Sequence, residues 1–564
     1  MASMATSKSK SKNPKVVRQL KSGLQALSQH DYLGASSKLA KVVEQDRDNS
    51  LAWRMLAYAY EKQGNYLRAF DAYGIAARLN PDNVSLLRSV GQLAYRLSRY
   101  ELSEKLLRSF LAHEPHDEEG INSLACTLRE MNRYGDAVDV LREALGKNPE
   151  QPGLWNILGS VLAYSGDTAS AITFFDEALR LAPHFPQARY NRAEGLSHLG
   201  NYQQALSEFD LALKDLSDPK EVANVTLTKA FVQLISGDLV GGFESYEART
   251  DWSSEGATVY KDFGARWQVG DDLTGKTLLV YAEQGLGDEV LFANVLNDTL
   301  NAVGLEGRVY LAAEPRLVPL FQRSFPRAVV RPYQGMSQFD TLHRSVDLGE
   351  AASKVDLWVP MASLFRRFRT RIEDFPKTEA FLTPDPERVV YWRQQLADSG
   401  PGPYVGILWK SMNMNGTRQR HYSPFDQWGP VLKNTKARFV NLQYADAADD
   451  LSEAKARGFD IWTPPGIDLK MDIDDLAALC AAMDVVIGPS TATTNIAAAV
   501  GTKVWISAGP GWWTCFGTDY APCYPSLRLF RTNNYAHWPE LMEEIGAALE
   551  QVVEAAYPAA LKAG

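Results

Sequence analysis

At 564 residues the chain exceeds what one hydrophobic core supports, so several domains are expected. A net charge of −9 excludes a general nucleic-acid binder, which needs a basic footprint. No apolar run reaches membrane-spanning length ("LAALCAAMDVVIG" is broken by Asp484), and neither nucleic acid nor membrane is expected as a partner.

The Ser/Lys-rich start, residues 1–13, reads as a disordered tail with no apolar stretch to act as a signal peptide. The four cysteines (Cys126, Cys480, Cys515, Cys523) show no CxxC spacing. That fits a reduced, cytoplasmic location and no structural zinc site.

A period of 34 residues governs the chain from the end of this tail to about residue 250. Pro81, Pro115, Pro149 and Pro183 keep it, as do Tyr66, Tyr100, Tyr134, Thr168 and Tyr202. Ala69, Ser103, Ala137, Ala171 and Ala205 keep the same register, and Tyr32 with Ala35 extends it backwards. Each unit reads as two helices, with small residues where they touch and a Pro stop. A divergent last copy, "LISGDLVGGFESYEAR", arrives three residues late. The pattern resembles the tetratricopeptide repeat over 14–250 and predicts an all-α solenoid whose wall binds a protein segment.

The stretch 251–275 reads as a linker. Beyond it apolar strands alternate with helical stretches, which implies parallel sheets with helices on both faces. Two such lobes are expected, 276–400 and 401–564, the second ending in a helix. Ligands of open α/β sheets sit beyond the carboxyl ends of strands, so polar residues there carry most weight.

Three stretches qualify. In "YAEQGLGDEVLFANVL", Gly285 and Gly287 make a tight turn and Asp288 starts a helix. The spacing fits a helix cap as well as a general base. In "VGILWKSMNMNGTRQRHYS", Lys410 and Ser411 end a strand, followed by Arg418, Arg420 and His421. These cations suit a phosphate or carboxylate, and equally a solvated loop. In "GPSTATTNIAAAVG", Ser490, Thr491, Thr493, Thr494 and Asn495 crowd the start of a helix, more hydroxyls than one cap consumes. Backbone N–H groups and hydroxyls there form a neutral anion cradle. Trp512 and Trp513 in "GPGWWTCFG" either pack or wall a pocket.

In this order the three stretches resemble the two-lobed glycosyltransferases called GT-B, in their heptosyltransferase-like branch, over about 275–560. The resemblance implies that Asp288 is the catalytic base and that Lys410 lies near the donor's phosphates. It also implies that "PSTATTNIAAAVG" corresponds to the family's "DTxxxHLAxALG" nucleotide-binding helix start. Ser490 stands where that family has Asp, and Asn495 where it has His. Together with the repeats, the chain is similar to soluble bacterial flagellin glycosyltransferases. That implies an inverting, metal-independent O-glycosyltransferase acting on flagellin Ser/Thr, with a CMP-linked sugar nucleotide of the pseudaminic or legionaminic type. Lys410, Ser411, Arg418, Arg420 and residues 490–495 would then bind donor, and Gly285, Gly287, Trp512 and Trp513 would wall the sugar. Two alternatives remain open: an O-GlcNAc-type transferase using UDP-GlcNAc, and a non-catalytic repeat adaptor.

Overall fold

The structure is a computed structural model that describes residues 13–251, 257–261, 263–338, 341–412, 414, 416–509, 511–532, 535 and 537–560. The expected tail, save Asn13, lies outside the described residues. One compact unit runs up to Gly195 and a second starts at Leu196.

The 34-residue period becomes helix pairs, from Pro14–Ser28 with Tyr32–Gln45 to Pro219–Ile235 with Leu239–Tyr246. Every second helix of the first six pairs begins at the periodic Tyr or Thr. The reasons are local. The residue two places before that start is left-handed in every pair: His30, Gly64, Ser98, Asn132, Gly166, Gly200 and Gly237 all have positive φ. This left-handed residue ends the first helix. An Asp or Asn then caps the next helix in several pairs, as Asp31 does through Gly34 N–H at 2.8 Å. Ala35, Ala69, Ala137, Ala171, Ala205 and Ser103 are fully buried, so a larger side chain there would prise the helices apart.

The second unit contains the last repeat and two α/β lobes. The first lobe holds a seven-stranded sheet ordered β1-β6-β5-β4-β3-β7-β2. Its strands are β1 (Thr258–Tyr260), β2 (Ala265–Arg266), β3 (Thr277–Tyr281), β4 (Arg308–Ala313), β5 (Ala328–Gln338), β6 (Thr341–Val346) and β7 (Leu357–Pro360). Residues 251–275, read as a linker, thus supply two short edge strands. Their two- and three-residue lengths leave no alternation to detect. The sheet is mixed, not parallel throughout as expected: β5 and β6 are neighbours separated by two residues, too few for a crossover, so they run antiparallel.

The second lobe has a six-stranded sheet ordered β10-β9-β8-β11-β12-β13, and every adjacent pair is parallel. These are β8 (Tyr404–Ile407), β9 (Arg438–Asn441), β10 (Ile461–Trp462), β11 (Val485–Gly488), β12 (Val504–Ala508) and β13 (Leu527–Arg531). Counted within the lobe, the order is 3-2-1-4-5-6, the doubly wound arrangement with its switch between β8 and β11. Alternate residues of these strands enter two separate cores. Val440, Leu442, Val486 and Ile506 face one. Val405, Ile407, Phe439 and Ile487 face the other, under the helix Trp538–Ala560. In the first lobe the strand order likewise reverses between the parallel neighbours β3 and β7. The last repeat shares the first of those cores: Leu234, Leu239, Phe243 and Tyr246 are buried with residues of both lobes.

Candidate functional site

Both switch points deliver a turn to the same place. Strand β3 ends at Tyr281, and Ala282–Asp288 leads into the helix Leu286–Phe292. Strand β11 ends at Gly488, and Pro489–Thr491 leads into the helix Ala492–Ala499. These two turns touch. A Cβ placed on Gly287 would lie 3.3 Å from the Cα and N of Ala492 and 3.3 Å from Asn495 Nδ2. A Cβ there would be tighter than most, so glycine eases this approach of the two backbones.

The first turn is held by buried charge. Arg344 of β6, 4% exposed, donates to Ala282 O at 2.6 Å and to Gln284 O at 2.7 Å. Gln284, one of the two residues it grips, has a left-handed backbone at φ 64°. Glu283 is 1% exposed and takes a bidentate pair from Arg249 (2.8 and 2.9 Å), besides the N–H of Ala362 at 2.7 Å. Arg249 belongs to the short turn Glu247–Thr250 that succeeds the last repeat. Asp288 Oδ2 accepts the Gly285 N–H at 3.1 Å, so it caps its own helix. Burial nonetheless raises the Asp288 carboxyl above its ordinary value, the Gly285 bond pulls it down, and Glu283 adds a further upward push. Its neighbour Glu289, fully buried, is raised by burial to about 7 despite Arg344 at 3.4 Å. Both carboxyls are raised, which is the direction in which a general base is tuned.

The second turn is neutral and largely satisfies itself. Thr494 accepts the Thr491 N–H at 2.8 Å and donates to Pro489 O at 3.0 Å. Asn495 donates to Thr491 O at 2.8 Å. Thr493 and Thr494 are both 1% exposed, whereas Ser490 is exposed and Thr491 half-buried. Of the five polar side chains singled out there, Ser490 and Thr491 are the ones best presented to a ligand.

The cations lie beyond β8. Lys410 Nζ pairs with Asp450 at 2.5 Å, and Gln443 accepts its backbone N–H at 3.0 Å. Asp450 also takes Trp409 Nε1 at 2.8 Å. Lys410 is therefore already engaged, beside half-buried Ser411. Arg418 is exposed. The guanidinium of Arg420 lies over the ring of Tyr535, 4.6 Å from its centroid, and His421 meets the same ring edge-on at 4.8 Å.

Trp513 packs among Phe231 and Tyr246 of the last repeat and Phe292 of the first lobe, at 5.6, 6.1 and 6.5 Å. Half-buried Trp512 packs against the same core. Sequence reasoning did not single out Arg249, Arg344 or Glu289. No local motif marks an arginine on a strand whose partners are carbonyls 60 and 62 residues away.

Among the described residues, no group of three His, Cys, Asp or Glu could hold a metal ion, and no helix is long and apolar enough to cross a membrane. The four cysteines are unpaired.

Comparison with known proteins identifies the repeats. Tetratricopeptide-repeat families match residues 20–83, 62–118, 122–184 and 162–226. Solved structures similar to the chain include MamA from Desulfovibrio magneticus RS-1 (16% identity, 30% of this chain, 97% of that chain, TM-score 0.29). A tetratricopeptide repeat protein from Parabacteroides merdae is similar over 42% of this chain and 93% of its own (15% identity, TM-score 0.37). Protein FlbA of Caulobacter vibrioides is 43% identical over 539 residues, which is 95% of this chain and 90% of the relative. Likeness at that level along nearly the whole length of both proteins places repeats and lobes alike in one family: the chain belongs to the FlbA family.

Proposed function

We propose that the chain is a GT-B-type, inverting glycosyltransferase that binds a sugar nucleotide between its lobes and transfers the sugar to Ser/Thr of flagellin held by the repeats. One observation carries the reading. The two sheets present their switch-point turns to each other, so that the turn bearing Asp288 touches the Ser490–Asn495 helix start through Gly287. In this reading Asp288 accepts the acceptor hydroxyl's proton. Ser490, Thr491 and the first N–H groups of the helix Ala492–Ala499 hold the departing phosphate, joined by Lys410, Ser411, Arg418 and Arg420. The donor is CMP-linked, with a nonulosonic acid of the pseudaminic or legionaminic type. Repeat pairs bind protein segments along their length, which is the role given to the solenoid.

A thermal-shift comparison tests the donor. A ligand bound only by the folded state raises its stability. CMP should raise Tm where UDP does not. The opposite result favours UDP-GlcNAc, and no shift with either removes the donor reading. The adaptor reading draws on the engagement of Lys410 by Asp450 and the close seating of Gly287 on Ala492. It predicts no nucleotide binding at all.

A further inference from the structure

A second concentration of positive charge lies at the carboxyl ends of the second sheet. Arg418, Arg420 and His421 come from the loop after β8, Gly511 from the loop after β12, and Tyr535 from the loop after β13. His198, the last residue of the helix Pro186–His198 in the sixth repeat, joins them. A Cβ on Gly511 would lie 3.9 Å from its imidazole Cδ2. Tyr535 gathers the others on its ring, with Arg420 at 4.6 Å and His421 edge-on at 4.8 Å. Trp538 Nε1 fixes the loop by donating to Arg420 O at 3.0 Å.

The charges acting on His421 are Arg420, His198 and Arg418, and the one acting on His198 is Arg420. Desolvation first, and then these cations, push both imidazoles down to about 4. Gathering cations and imidazoles in a desolvated place opposes their charging. An incoming oxyanion reverses this, because it lets the imidazoles charge and become donors. The position is also the one open α/β sheets use for ligands, beyond the strand ends.

We propose that His198, Arg420 and His421 form an oxyanion subsite of the donor pocket, so that a residue of the repeat region and residues of the second lobe hold the same sugar nucleotide. The assignment rests on the chain being a sugar-nucleotide binder. The oxyanion is either the phosphate or a sugar carboxylate of that donor.

The test uses full-length protein labelled in its histidines, monitored by NMR, with binding measured by calorimetry. The probes are CMP, which carries phosphate alone, and CMP-N-acetylneuraminic acid, which adds a carboxylate. Saturation should move two histidine resonances from titration near about 4 toward the ordinary imidazole value of about 6.5. One should vanish in His198→Gln and the other in His421→Gln. Loss of one charge-assisted bond weakens binding roughly tenfold or more, so His198→Gln and Arg420→Gln should each do so at pH 6. The His198→Gln effect should shrink at pH 8.5, where the imidazole has less tendency to charge. A full effect with CMP assigns the phosphate, and an effect confined to the CMP-sugar assigns the carboxylate. Should His198→Gln fail to fold, the wild-type resonances together with His421→Gln decide the matter. Equal affinity in wild type and His198→Gln, with unmoved resonances, overturns the subsite and leaves the donor reading intact. No nucleotide binding to the wild type removes the donor reading, and this assignment with it.

Discussion

The two turns that touch at Gly287 and Ala492 solve the same problem with opposite chemistry. The turn after β3 is charged and held from outside: Arg344 grips two of its carbonyls, and Arg249 neutralises Glu283. The turn after β11 is neutral and held from within, by Thr494 and Asn495 bonded to its own backbone. A turn held from outside keeps its carboxylates in a dry, strained setting, as Gln284 and the raised Asp288 and Glu289 show. A turn held from within can leave Ser490, Thr491 and its helix N-terminus to a ligand. In the proposed function, the first turn supplies the proton acceptor and the second the ligand's binding groups.

The sharpest way to break this contrast is at Asp288. Replacement by asparagine keeps some capping but cannot accept a proton, so turnover should fall about a hundred- to ten-thousand-fold. Calorimetry should show donor affinity retained. Near-normal turnover would leave Asp288 as a helix cap.

Arg249→Ala attacks the outside support. It strands a buried carboxylate, which costs about 3–5 kcal/mol, measured by denaturant unfolding. Lys410→Ala serves as the comparison. Its pair with Asp450 is about a quarter exposed, so the loss should stay below about 1 kcal/mol even where transfer is abolished. Equal losses for the two variants would contradict the description of the first turn.

Gly287→Ala probes where the turns touch. The added Cβ at 3.3 Å demands a small parting of the backbones, so a cost of about 1–3 kcal/mol is expected. A neutral result would mean the two turns yield freely to each other.

The smallest effects separate binding from support within the second turn. Thr494→Val removes the cap and should cost about 1 kcal/mol of stability. Ser490→Ala, at an exposed position, should change stability by less than about 0.5 kcal/mol yet weaken nucleotide binding. If Ser490→Ala leaves binding untouched, the ligand does not use that hydroxyl.

The repeats were legible because their demands recur. A fully buried small residue and a helix start return every 34 positions, and they leave Ala or Ser and Tyr or Thr behind. Strands β3, β8, β11 and β12 were legible as apolar runs, and the turns after them came with that. Strands β10 and β13 were not: one has two residues, and the other alternates arginines with leucine and phenylalanine in "LRLFR". The antiparallel neighbours β5 and β6 also passed unseen, since Pro332 and Gly335 interrupt the run. Near the two turns, polar residues next to strand ends could be named from the sequence. Their partners could not, because Asp450, Arg249 and Arg344 arrive through register and packing that no local pattern records. The last repeat, divergent and late in the period, seats in the lobes' core.

The central claim is transfer of a sugar to flagellin. Mass spectrometry of flagellin, produced together with this protein and a pathway that makes a CMP-linked nonulosonic acid, tests it most directly. Flagellin Ser/Thr residues should carry the added sugar with the wild-type chain and lack it with Asp288→Asn. Unmodified flagellin in both samples, with folded protein and confirmed donor supply, would contradict the account.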